Sequence, residues 1–154
     1  MSWETENLET QLVKSIEKTV TTLPEKTLKA LKESKYKEKG GSEVQINNMI
    51  KSIDISRSKK VPICQDTGTP TFFVEIGSNF PDSQKIGQIK PIIQKAVQKA
   101  TEKVPLRPNS VDPITNENSG DNTGKNIPYI HWEITNSKKI QINFLPKGGG
   151  SENM

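Results

Sequence analysis

The apolar residues of this chain change their spacing partway along it, and that change restricts the fold to one that combines helices with a sheet. Leu8, Leu12, Ile16 and Val20 recur at every fourth position, with lysines and glutamates between them, which stacks the four on one side of an amphipathic helix. Near the other end the spacing falls to two. "IPYIHWEI" and "IQINFL" alternate apolar and polar residues on either side of the polar "TNSKK", the pattern of two strands joined as a hairpin. Ile130, Trp132 and Ile134 are then expected to pack with Ile140, Ile142 and Phe144.

Between these ends the same reading continues. "LPEKTLKALKESKY" places Pro24 at a first helical turn, turns Leu28 and Leu31 inward and stops at Gly40-Gly41. A third helix is expected from Ser42, where Gln45 three residues on completes a capping box, with Ile46, Met49, Ile50 and Ile53 as its inward stripe. "TFFVEIG" (71–77) is a β-branched and aromatic run closed by glycine, the mark of a well-buried strand. Ile86, Ile89, Ile93, Val97 and Ala100 return to helical spacing, and Pro91 inside that pattern kinks it or starts a second piece. Residues 104–126 are dense in Pro, Asn, Asp, Ser and Gly, a long connection of the kind that is functional or disordered. The expected fold class is mixed α/β, a single domain over 1–154. In it an N-terminal helical layer (1–55) packs on a small mixed sheet that, with the site loops, occupies 56–154.

Composition narrows the classes of function. Only 31% of residues are hydrophobic and 5% aromatic, lean for a self-sufficient globule, which points to surface covered by another chain. The net charge of +4 and a pI near 9.1 come from lysine-rich runs of mixed sign such as "KESKYKEKGG" (32–41), the signature of a solvated helix face. Nucleic-acid binding calls for arginine-rich patches interleaved with aromatics, and the arginines are few. One cysteine permits no internal disulfide, and the chain has neither a secretory leader nor the roughly 20 consecutive apolar residues of a membrane span. The expectation is a cytoplasmic protein.

That one cysteine stands in "VPICQDTGTP" (61–70). A free cysteine is most often a small buried hydrophobe, but Pro62, Gln65, Asp66, Thr67, Gly68 and Pro70 are turn and loop formers, and a loop brings a thiol to solvent where it can react. At the far end, "LPKGGGSENM" carries three successive glycines after a strand. Such a tract lets backbone N–H groups approach an anion with no Cβ in the way, although a Gly-Ser tract is also a common form of loose tail. His131, the one histidine, falls on the strand face opposite Trp132, as a structural or solvent-facing residue would.

Four motifs, "PICQDTG" (62–68), "LRPNSVDP" (106–113), "NSGDNTG" with a following proline (118–128) and "KGGGSEN" (147–153), stand in an order that closely resembles the iron–sulfur hydro-lyases. The likeness is to the α subunit, or N-terminal domain, of class I fumarate hydratases and L(+)-tartrate dehydratases. That resemblance implies a 4Fe-4S cluster held by three cysteines, of which Cys64 is one, with an open iron serving as Lewis acid on the substrate hydroxyl. It implies that Asp66 does acid–base work, that Gln65 and Arg107 bind substrate carboxylate, and that the backbone of Gly148, Gly149 and Gly150 lies against the bound acid. Lys147, Ser151 and Asn153 share the last motif without a clear role, and Asn122, Thr123 and Gly124 shape the loop wall.

Relatives of this kind continue past KGGGSEN and carry the other two cluster cysteines there, along with the catalytic histidine. The expected partners are therefore the remaining α-subunit portion, a β subunit or C-terminal domain, and a small dicarboxylate, in an oligomer. The implied activity is reversible hydration of fumarate to L-malate, completed by other polypeptide because this chain alone cannot hold the cluster. L(+)-tartrate dehydration, a non-catalytic truncated assembly partner, and an unrelated basic binding module are the alternatives.

Overall fold

The structure is a computed structural model, and it describes residues 5–148. Four α-helices and three strands follow in the order α1 (Thr5–Thr21), α2 (Glu25–Lys35), α3 (Gly41–Lys59), β1 (Thr69–Gly77), α4 (Ile89–Lys103), β2 (Tyr129–Thr135) and β3 (Ile140–Lys147), with a short 3-10 turn over Ser83–Gln88 before α4. This is the expected mixed α/β class. No described helix is long and apolar enough to cross a membrane.

The sheet corrects one expectation. Its order is β2-β1-β3, with β1 parallel to β2 and antiparallel to β3, so the strands expected to form a C-terminal hairpin never touch as neighbours. β1 is the most buried of the three, and its place between the others buries Phe72 and Val74 completely and gives both of its edges partners. The 136–139 connection instead crosses the end of β1. There Gly77 N–H donates to the Lys139 carbonyl at 2.8 Å and Ser78 N–H to the Thr135 carbonyl at 2.8 Å. A Cβ on Gly77 would lie 2.3 Å from the Ser137 carbonyl oxygen, so only glycine lets the connection pass this close.

Ile130, Trp132 and Ile134 do face the same side as Ile140, Ile142 and Phe144, with Phe72, Val74 and Ile76 between them. On that side lies the core, where Leu12, Val13, Ile16 and Val20 of α1 meet Ile89, Ile92, Ile93, Ala96, Val97 and Ala100 of α4 over the sheet. The Phe72 and Phe144 rings pack at 5.0 Å. Fully burying each such side chain stabilises by about 1.5–3 kcal/mol. Pro91 sits in the first turn of α4, where its missing N–H costs nothing.

α2 and α3 stand outside this core. α2 has no buried residue, and α3 buries only Ile53 and Ser56. Met49, expected on the inward stripe, is half exposed. The expected capping box is also absent: Gly40 is the cap of α3, at φ 64°, with no side-chain capping bond. Gly40 reaches a left-handed conformation that Ser42 would resist, which starts the helix one residue before the serine. α2 ends at Lys35 rather than at the glycine pair.

Candidate functional site

α3 delivers the chain to the cysteine loop through a fixed turn. Lys60 closes the helix in the left-handed region at φ 55°, and the buried Ser56 hydroxyl packs against the Thr21 and Val61 carbonyls. Ile63 N–H then donates to the Val20 carbonyl at the end of α1, at 3.0 Å. Cys64 follows at once, exposed on the loop as its neighbours predict.

The loop opens onto a cavity of about 720 Å³ lined by Pro62, Ile63, Cys64, Gln65, Thr67 and Arg107 among others. Three expected site residues, Cys64, Gln65 and Arg107, thus share one cavity. Asp66 does not line it. Its Oδ1 accepts the Gly68 N–H at 3.0 Å, so the carboxylate closes its own turn while the side chain stays exposed. Among the lining residues Arg107 is the one charged group, so the cavity favours an anion.

Buried polar groups hold the two sides of this cavity together. Thr67 Oγ1 accepts the Arg107 N–H at 3.0 Å and lies 3.3 Å from the Arg107 carbonyl, across forty residues of sequence. Asn109 Nδ2 donates to the Gly68 carbonyl at 3.2 Å. Beneath them Asn122, 1% exposed, donates from Nδ2 to the Arg107 carbonyl and to Thr101 Oγ1, both at 3.1 Å, and accepts the Asn109 N–H at 2.7 Å. Asn122 is in the left-handed region at φ 61°, which asparagine tolerates better than other non-glycine residues. The expected loop wall is therefore a structural hub. Thr67, Asn109 and Thr101 were not singled out from sequence. A hydroxyl bonding across forty residues leaves no local pattern, although an asparagine within a Gly/Asp-rich run does signal a left-handed turn.

The glycine motif arrives from the other side. Gly68 is at φ 73°, and a Cβ there would lie 2.8 Å from the Pro146 carbonyl carbon and 2.9 Å from the Lys147 nitrogen. The cysteine loop thus rests on the backbone that leads into Lys147 and Gly148. Gly149, Gly150, Ser151 and Asn153 lie outside the described residues. His131 is away from the cavity, on the open sheet face, its ring stacked on Phe73 at 4.9 Å.

The long 104–126 segment is ordered by its own carboxylates. The N–H groups of Thr115 and Ile114 donate to Asp112 and hold its carboxyl below the ordinary value. For Asp121, burial pushes upward, but the Thr123 hydroxyl and N–H, the Gln98 amide and Ser119 outweigh it and the carboxyl also ends lower.

Comparison with known proteins agrees with this arrangement. The profile of the fumarate hydratase (Fumerase) family matches residues 9–154. A Methanocaldococcus jannaschii protein provisionally named as an L(+)-tartrate dehydratase alpha subunit is 45% identical over 137 residues, which cover 86% of this chain and 47% of that protein. The Escherichia coli K12 L(+)-tartrate dehydratase alpha subunit is 41% identical over 105 residues, covering 68% and 32%. A Geobacillus stearothermophilus protein provisionally named as a class I fumarate hydratase is 36% identical over 150 residues, covering 96% and 28%. The chain therefore spans less than half the length of each of these relatives. With Cys64, Gln65 and Arg107 at one cavity and the family profile running over nearly all of its sequence, this chain belongs to the fumarate hydratase (Fumerase) family.

Proposed function

We propose that the chain forms part of a hydro-lyase that interconverts fumarate and L-malate, and that it supplies the carboxylate-gripping wall of the site. The observation that carries this reading is the cavity shared by Cys64, Gln65 and Arg107. The Arg107 guanidinium offers two parallel N–H donors to one substrate carboxylate, a fork that lysine cannot reproduce. Gln65 adds an amide N–H. Hydration places hydroxyl on one carbon of the double bond and a proton on the other. We assign that proton to Asp66, which follows Gln65 outside the cavity lining: with one oxygen held by Gly68 N–H, its second oxygen gives the proton and recovers one from the added water, and the reverse reaction runs the transfers backward.

The chain's own donors do not fit a 4Fe-4S cluster by themselves. A cubane with one open iron takes three thiolates; this chain has one cysteine, and no three His, Cys, Asp or Glu side chains converge among the described residues. Cys64 is one ligand, the others come from further polypeptide, and no step here runs through the cluster. A working free thiol also suits a reducing compartment, so the enzyme is assigned to the cytoplasm. The names of the M. jannaschii and E. coli relatives favour a second substrate, L(+)-tartrate, one of whose two carboxylates the same arginine fork would grip.

Anaerobic reconstitution with iron and sulfide, of the chain alone and together with polypeptide spanning the rest of a relative's length, tests the assignment. The combination should interconvert malate and fumarate or dehydrate L-tartrate, and Cys64→Ser should lose cluster and activity together. Inactivity of every combination, with cluster content indifferent to Cys64→Ser, would overturn it.

A further inference from the structure

The outer edge of the sheet is left without protection. β2 pairs only with β1, its far side is open among the described residues, and although Ile130 packs against the core, most of the strand is exposed: Tyr129 is 48% exposed, Trp132 46% and Ile134 79%. Natural edge strands are blunted by proline, lysine, bulges or a covering element. β2, "YIHWEIT", has none of the first three. On the open face Glu133 stands beside Glu75 in register, two like charges that repel, and neither forms an ion pair among the described residues.

The sequence of β2 is complementary to itself when reversed. Set antiparallel about a twofold axis through Trp132 and perpendicular to the sheet, Ile130 meets Ile134 of the second copy, Trp132 meets Trp132, and Tyr129 meets Thr135. His131 meets Glu133, which gives that carboxylate a polar partner beyond Glu75. All seven residues of the strand find partners, and each unlike pair occurs twice, as a closed twofold interface requires. Moving the axis to Glu133 would set glutamate against glutamate, and moving it to His131 would leave Ile134 and Thr135 unpaired.

We propose that a second copy of this chain docks on β2 by antiparallel strand addition about Trp132, making one continuous six-stranded sheet. This inference is independent of the proposed reaction. It is tested on the 154-residue chain by analytical ultracentrifugation and cysteine cross-linking. The chain should be a dimer at tens of micromolar, and Ile134→Lys, at a position exposed in the protomer, should raise the dissociation constant by about tenfold or more without changing the thermal midpoint of the monomer. His131→Glu should weaken the dimer, and the double variant His131→Glu, Glu133→His should restore it. In a Cys64→Ser background, Trp132→Cys should form an intermolecular disulfide under mild oxidation, whereas Ile134→Cys should not, because 134 faces 130 and not itself. A chain that stays monomeric, as it would if other polypeptide occupies this edge, overturns the proposal. So does a dimer indifferent to Ile134→Lys, or equal cross-linking at 132 and 134.

Discussion

Asn122 and Arg107 divide the labour of the cavity wall between structure and recognition, and substitutions should separate the two. Asn122→Ala orphans the Asn109 N–H and takes one partner each from the Arg107 carbonyl and the Thr101 hydroxyl, which keep Thr67 and the Val97 and Asp121 carbonyls. An orphaned buried group costs about 1–3 kcal/mol, so chemical denaturation should show a loss of roughly 1–3 kcal/mol. Asn122→Gly loses the same bonds but keeps the left-handed backbone without strain, and it should be no worse than alanine. A smaller loss for alanine than for glycine would show that φ at this position does not matter. Arg107→Lys is the opposite case, since its side chain is exposed and its backbone makes the structural bonds. Stability should stay within about 0.5 kcal/mol. In the reconstituted enzyme KM for the dicarboxylate should rise about tenfold to a hundredfold with the loss of the fork, and an unchanged KM would remove Arg107 from the binding role.

At the level of elements, the connection over the end of β1 and the acidic turns of 104–126 are the sensitive joints. Gly77→Ala drives a methyl into the Ser137 carbonyl and should cost about 1–3 kcal/mol or more, read as a lowered denaturation midpoint. The loop responds to acid. Asp112 and Asp121 both titrate below the ordinary carboxylate value when folded. Their contribution is therefore complete above the unfolded-state pKa and fades as pH falls through the lower folded one. Amide exchange protection at Ile114, Thr115 and Thr123 should hold at neutral pH and drop below about pH 4, and constant protection to pH 2 would contradict it. The helices were legible in the sequence because fourfold spacing has one structural meaning. The pairing of the strands was not. Period-two alternation reads the same whether β3 lies beside β2 or one strand away, and a short polar connection fits a hairpin as well as a crossing. What separates the two is the central place of β1, whose Phe72 and Val74 are fully buried with partners on both edges.

For the molecule as a whole, one layer of core joins α1, α4 and one side of the sheet, while α2, α3 and the other side of the sheet face outward. Ile93→Ala, at the fully buried centre of α4, should cost about 2–5 kcal/mol, against less than about 0.5 kcal/mol for Met49→Ala on the exposed side of α3. The candidate site was legible as motifs to the extent that Cys64, Gln65 and Arg107 line one cavity, but the polar lattice of Thr67, Asn109 and Asn122 beneath them was not, because it joins residues far apart in sequence. The strand order also governs how the chain reaches this state. β1 emerges first in synthesis, yet its neighbours are residues 129–135 and 140–147, so no two strands of the sheet can close on each other locally. Such distant pairings slow folding. Until the last strand is made, Phe72 and Val74 lie on a strand with one edge unmated, and a ribosome-bound chain halted before Ile140 should be a chaperone client while one extended beyond Lys147 is not.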